Sequence, residues 1–144
     1  MAGVAEGLKS KNKNIKIGLS DPYGSALYSY VKNNTLEMEG SSITEGIGTS
    51  RITKNFENTK VDFAYKIDDT NALNVIFKLL KNEGLCLGTS SGINVAGAIE
   101  MAKEIGPGKT IVTILCDIGS RSASKIFNVD FLKSKNLPYP DWLA

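Results

Sequence analysis

The stretch Thr110-Ile111-Val112-Thr113-Ile114-Leu115-Cys116 constrains the fold more than any other. It is apolar almost throughout and shows no polar alternation, the pattern of a strand buried on both faces of a parallel sheet. Such a sheet carries helices on its faces, so an α/β layered architecture is expected. Neighbouring segments agree. Ile15-Lys16-Ile17-Gly18-Leu19 alternates like a strand, residues 61–67 read as another, and Leu85-Cys86-Leu87 reads as a short buried one. Helical spacing places Leu73, Ile76, Leu79 and Leu80 on one face, with an N-cap offered at Asp68-Asp69-Thr70 and a stop at Gly84. Val95, Ala98, Ile99, Ala102 and Ile105 mark a further helix ending at Gly106-Pro107-Gly108. Shorter helices are expected around Val4, Ala5 and Leu8, and over residues 26–31 behind a capping Ser25. The remainder, through Pro138 and Pro140 to Trp142, reads as a short helix and a docked tail.

With 144 residues the chain is long enough for one domain and one core. Lys+Arg 17 against Asp+Glu 15 gives a net charge of only +2, scattered along the chain, which argues against a nucleic-acid surface or an anionic membrane as partner. The basic cluster Lys9-Ser10-Lys11-Asn12-Lys13 is read as a solvated helix end. No apolar run approaches the roughly 20 residues that span a bilayer. Histidine is absent, which removes the Ser-His-Asp and Cys-His systems and the usual zinc ligand sets. The two cysteines, Cys86 and Cys116, lie in apolar runs and are expected to be buried free thiols in a reducing compartment.

Chemistry in an open α/β sheet belongs to the loops at the carboxyl ends of its strands. Residues 20–25, 88–92 and 117–121 occupy such places. Residues 37–57 hold no period, and their glycines (Gly40, Gly46, Gly48) suit tight turns beside a ligand. Gly88-Thr89-Ser90-Ser91-Gly92 opens a helix and is suited to cradle an anion, yet it is neither a Walker A nor a Gly-x-Gly-x-x-Gly sequence. The preferred reading is that Ser90 or Ser91 caps the helix while the glycines permit close packing. Asp117 has two open readings: it pairs with Arg121 or its own turn, or it faces a ligand. Glu45 is read as solvated, and Tyr23, Tyr28 and Tyr30 as core rather than a stacking platform.

Four blocks in order carry a resemblance. Ser20-Asp21-Pro22-Tyr23-Gly24-Ser25-Ala26-Leu27-Tyr28, Glu45-Gly46-Ile47-Gly48, the block from Glu83-Gly84-Leu85 through Gly88-Thr89-Ser90-Ser91-Gly92-Ile93-Asn94, and "TIVTILCDIGSR" at residues 110–121 resemble motifs of the cysteine synthase and cystathionine β-synthase family. The resemblance spans essentially the whole chain. It implies a mostly parallel three-layer α/β fold of the tryptophan synthase β type, with pyridoxal phosphate as cofactor. The implied reaction replaces the β-substituent of O-acetylserine or a related activated serine by sulfide or a thiol.

The carry-over by residue is limited. Gly46, Ile47 and Gly48 stand where the family lines its active-site cleft, and Cys116, Asp117 and Ile118 where it bonds the pyridine nitrogen. Ile118 departs from the Ser or Thr hydroxyl often found there, so Asp117 or the backbone would take over, and an aspartate would protonate the ring more fully. Ser122 stands where the family often has tyrosine. The Schiff-base lysine and the phosphate loop have no counterpart in a matching motif, so no catalytic residue and no metal ligand is assigned. On this reading residues 1–144 are the C-terminal half of the catalytic domain, without its N-terminal half and inactive alone. A non-catalytic binding or interaction domain of the same ancestry is the alternative. An amino-acid substrate and a homodimer are implied for the complete enzyme, with the cytoplasm as compartment and the mitochondrion as alternative.

Overall fold

A computed structural model describes all 144 residues. Its sheet has two parallel strands, β1 (Gly18–Pro22) and β2 (Phe63–Ile67), with Gly18 opposite Phe63 and Pro22 opposite Ile67. Strand side chains alternate between faces, and that alternation sorts the neighbours. On one face Leu19 and Ala64 form a core with Phe56, covered by Leu27, Tyr28 and Val31. These come from α2 (Leu27–Asn33) and α3 (Lys54–Glu57). On the other face Ile67 joins Ala72, Ile93 and Ala96, from α4 (Asp69–Glu83) and α5 (Thr89–Ile105). The result is three layers about a small parallel sheet.

A second core lies beyond the sheet. Leu73, Ile76 and Phe77 of α4 meet Ile126 of α6 (Ala123–Ile126) and Leu132 of α7 (Val129–Ser134). The C-terminal tail docks on it through Leu137, Tyr139 and Leu143, and Trp142 meets Phe77 edge to face with centroids 6.0 Å apart. The N-terminal helix α1 (Ala2–Lys11) buries only Ala5. It is held by Asp62, which binds Lys9 Nζ at 2.6 Å and accepts from the Ile17 N–H at 2.8 Å.

Local signals set the helix ends as expected. Asp68 caps α4 by accepting from the Asn71 N–H at 2.7 Å, and Gly84 closes it with φ of 69°. Gly106 ends α5 with φ of 75°. Asn34 ends α2 in the left-handed region.

Several expectations are corrected. Residues 110–116 join no sheet: Val112 is 85% exposed, Ile114 63% and Leu115 47%. A strand buried on both faces needs a strand at each edge and a layer on each side, and no element of these 144 residues supplies them. Cys116 is exposed with this run and Cys86 is half-buried, so the thiols are free but not both buried. Leu85-Cys86-Leu87 forms no strand, only a single antiparallel bridge between Leu87 and Ile118. The first strand begins at Gly18, three residues after the alternating segment starts. The four-residue helix α3 arises inside the stretch that showed no period.

Candidate functional site

The loop of residues 40–50 lies over the carboxyl ends of both strands. After β1, Gly24 donates its N–H to the Glu39 carbonyl at 2.8 Å, and Ala26 donates to Thr49 at 2.9 Å. Ser25 Oγ donates to the Thr49 carbonyl at 3.1 Å and accepts from the Thr49 N–H at 3.0 Å. This clasp, rather than capping, is its main contact, since the Leu27 N–H lies 3.4 Å away. Gly48 is required twice over. Its φ is 79°, and a Cβ there would lie 2.8 Å from Ser25 Cβ and 3.0 Å from Pro22 Cγ. After β2, Asp69 accepts from the Ile43 N–H at 2.8 Å and from the Ser42 hydroxyl. Between the loop and Tyr23 to Ser25 lies a cleft of about 400 Å³, lined by the hydroxyls of Ser41, Ser42, Thr44 and Ser50.

Gly46, Ile47 and Gly48 play different parts. Gly46, with φ of 74°, has open space where a side chain would stand. Ile47 packs against the core formed by Ile67, Ala72, Ile93 and Ala96. Glu45 is exposed, as read from the sequence, but Lys125 Nζ binds its carboxylate at 2.5 Å. The Lys125 hydrogen bond, with the ammonium charge behind it, holds the Glu45 carboxyl below the ordinary carboxylate range.

The turn at residues 116–118 leans on the first turn of α5. Cys116 donates its N–H to Ser91 Oγ at 2.9 Å, and the Asp117 carbonyl accepts from the Gly88 N–H at 2.9 Å. The Ser90 hydroxyl donates to Asp117 Oδ1 at 3.4 Å. Gly88 leaves no room for a side chain, since a Cβ would fall 2.2 Å from that oxygen. Arg121, one partner expected for Asp117, forms no ion pair, and Ile118 is 62% exposed. Ser90 and Ser91 do not cap α5. Gly88 is the N-cap, and both hydroxyls are turned to the 116–117 segment. The expectation of close glycine packing holds: a Cβ on Gly92 would lie 2.7 Å from the Ala72 carbonyl oxygen. The 116–117 segment is thus held by Ser91 and Ser90 at the start of α5, while Ile47 packs on the core to which Ile93 and Ala96 of α5 contribute together with Ile67 and Ala72.

Sequence reasoning missed Asp21. It is fully buried between β1 and α2, where Oδ2 accepts from the Tyr28 N–H at 2.8 Å and Oδ1 has no partner. Burial pushes its carboxyl above the ordinary range, against the pull of the Tyr28 N–H and the Lys66 charge. Lys66 lies opposite Asp21 in the sheet register. Its ammonium stands 5.0 Å from the Tyr23 ring centroid and 5.5 Å from that of Tyr28, and binds Glu39 at 2.7 Å. The tyrosines are thus partly core and partly a platform for a cation. In sequence, Asp21 stands out only as a member of the first motif block, and nothing local marks it as buried.

With this geometry in view, the sequence model of the pyridoxal-phosphate dependent enzyme family matches residues 1–117. The chain belongs to this family. Members it resembles include cysteine synthase 2 of Schizosaccharomyces pombe, 40% identical across 95% of this chain and 38% of that protein. The cysteine synthase of Dictyostelium discoideum is 36% identical across 98% of this chain and 40% of its own length. Among solved structures, an O-acetylserine dependent cystathionine β-synthase from Helicobacter pylori superposes with a TM-score of 0.76 at 32% identity, over 86% of this chain and 38% of that one. The α/β architecture is therefore that of the pyridoxal-phosphate enzymes. The chain spans about two-fifths of the length of the curated relatives it matches.

Proposed function

We propose that the chain supplies two walls of a pyridoxal-phosphate site in a cysteine synthase-like enzyme, as the C-terminal portion of its catalytic domain. The observation that carries this reading is that Ile47 packs on the core to which α5 contributes while the 116–117 segment is bonded to the first turn of α5, beside a parallel sheet. The residues suit the ring side of the cofactor. Asp117 Oδ1 has one long hydroxyl partner, which leaves acceptor capacity for a protonated pyridine nitrogen, whereas Ile118 offers only apolar surface. Gly46 leaves open space beside the cleft. Pyridoxal phosphate, when bound, supplies the electron sink for exchanging the β-substituent of an activated serine for sulfide or a thiol. Asp117 would hold the ring proton, the Ser91 bond to Cys116 would fix that turn, and the Gly46-Ile47-Gly48 backbone would bound the substrate side. We place the enzyme in a reducing compartment, the cytoplasm first, as a homodimer acting on a small amino acid.

Alone, the chain is proposed to be inactive. No lysine of it stands in the family's cofactor-bearing motif, and its most apolar run lies exposed. The test is complementation: refold the chain with the separately expressed N-terminal portion of a matched cysteine synthase, then assay cysteine from O-acetylserine and sulfide. Activity should require both pieces and drop severalfold or more with Asp117→Ala. A mixture that refolds yet never turns over would favour the non-catalytic binding domain.

A further inference from the structure

Lys125 makes contacts that neither wall explains alone. It lies in α6, directly after the 3-10 turn Gly119–Ser122 that continues the 116–118 segment. Its ammonium donates to the Ile43 carbonyl at 2.9 Å and to Glu45 Oε1 at 2.5 Å, crossing about eighty residues of sequence. Glu45 directly precedes Gly46 and Ile43 lies two residues before Glu45, where Asp69 also fastens the Ser42 hydroxyl and the Ile43 N–H. The Lys125 side chain is 28% exposed and Glu45 78% exposed, so the ion pair alone is worth little. The carbonyl bond is different, because it reads backbone position rather than charge. At the other end, Gly119 donates to the Cys86 carbonyl at 3.0 Å and Gly88 to the Asp117 carbonyl at 2.9 Å, so the 117–119 segment that leads through the 3-10 turn into the element bearing Lys125 is anchored on residues 86–88.

We propose that Lys125 is a positioning residue that ties the Gly46-Ile47-Gly48 loop to the Cys116-Asp117-Ile118 turn and sets their separation. This rests on the reading of both segments as cofactor-site walls, but the tie itself is a property of the bare chain. Loss of the tie leaves Gly46, with its free φ and open surroundings, as the pivot on which the loop swings.

The experiment is amide hydrogen exchange on the 144-residue chain, with thermal melting as control. Lys125→Met should speed exchange roughly tenfold at residues 43–49 and also at Gly119 and Gly88, the scale expected for one charge-assisted hydrogen bond. Amides within β1 and β2 should be unchanged. Glu45→Gln, which leaves the Ile43 bond intact, should have a clearly smaller effect, and Lys125→Arg should restore protection. Unchanged exchange in Lys125→Met, acceleration confined to residues 43–49, or acceleration spread evenly over the sheet would each overturn the proposal. Equilibrium dialysis of the same variants, refolded with the N-terminal portion of a relative, against pyridoxal phosphate tests the cofactor reading separately. Exchange that responds while retained cofactor is absent in every variant would keep the tie and reject the cofactor site.

Discussion

Asp21 shows how a single residue can hold a fold together while working against its own charge. Its carboxylate is the acceptor for the first turn of α2, yet one oxygen is buried without a partner. Removing the acceptor should therefore cost more than removing the charge. Asp21→Ala leaves the Tyr28 N–H unsatisfied and should destabilise by about 1–3 kcal/mol in denaturant unfolding, while Asp21→Asn should be close to neutral. The pH dependence follows from the direction of the shift. A raised carboxyl binds its proton more tightly in the folded chain, so its contribution is greatest below the ordinary value of 3.8 and declines as pH rises through the folded value. Asp62 works in the opposite window. Its partial burial, which alone would raise the pKa, is outweighed by the Lys9 hydrogen bond, the Ile17 N–H and the charges of Lys9 and Lys16. Its stabilisation is present above 3.8 and is lost as pH falls through the lowered folded value. Melting curves from pH 2 to 7 should show Asp21→Asn flattening only the upper part and Asp62→Asn only the lower part. Neither residue was legible in sequence, because the environment of each is fixed by strand register and not by its neighbours in the chain.

Among the elements, α5 is the common support, and its glycines decide how closely it sits. A Cβ on Gly97 would lie 1.8 Å from Ser20 Oγ and 2.6 Å from Ser20 Cβ. Gly97→Ala should therefore destabilise by about 1–3 kcal/mol despite alanine's better helix propensity. Adding Ser20→Gly should recover part of that loss, a coupling that a thermodynamic cycle measures directly. Additive losses would mean that the two surfaces are not in contact. The ends of α4 and α5 were readable because Asp68, Gly84 and Gly106 act within a few residues of themselves. The roles of Ser90 and Ser91 were not. A serine at a helix start signals a cap, and only the return of residues 116–117 shows the hydroxyls occupied elsewhere. The candidate site was visible as motifs, but the cross-tie through Lys125 joins residues far apart in sequence and leaves no local trace.

At the level of the whole molecule, the strand pattern of residues 110–116 and its exposure pull in opposite directions. Val112, Ile114, Leu115 and Ile118 present large apolar side chains to solvent within one short stretch of chain. A segment of this kind drives association in isolation. The purified chain should self-associate at micromolar concentration in sedimentation velocity, and Val112→Lys with Ile114→Lys should shift it toward monomer. A monodisperse wild-type monomer with cooperative melting would count against an uncovered sheet element. The apolar pattern predicts a buried strand, and the two-stranded sheet offers this segment neither a strand partner nor a covering layer.

The central claim is that residues 46–48 and 116–118 are walls of a pyridoxal-phosphate site that the remainder of a catalytic domain completes. The most direct measurement is the visible spectrum after dialysis of cofactor-treated protein, for the chain alone and for the chain refolded with the N-terminal portion of a matched relative. A retained band of bound cofactor is expected in the mixture only, weakened by Asp117→Ala. A retained band with the 144-residue chain alone, or a refolded mixture that keeps no cofactor, would contradict it.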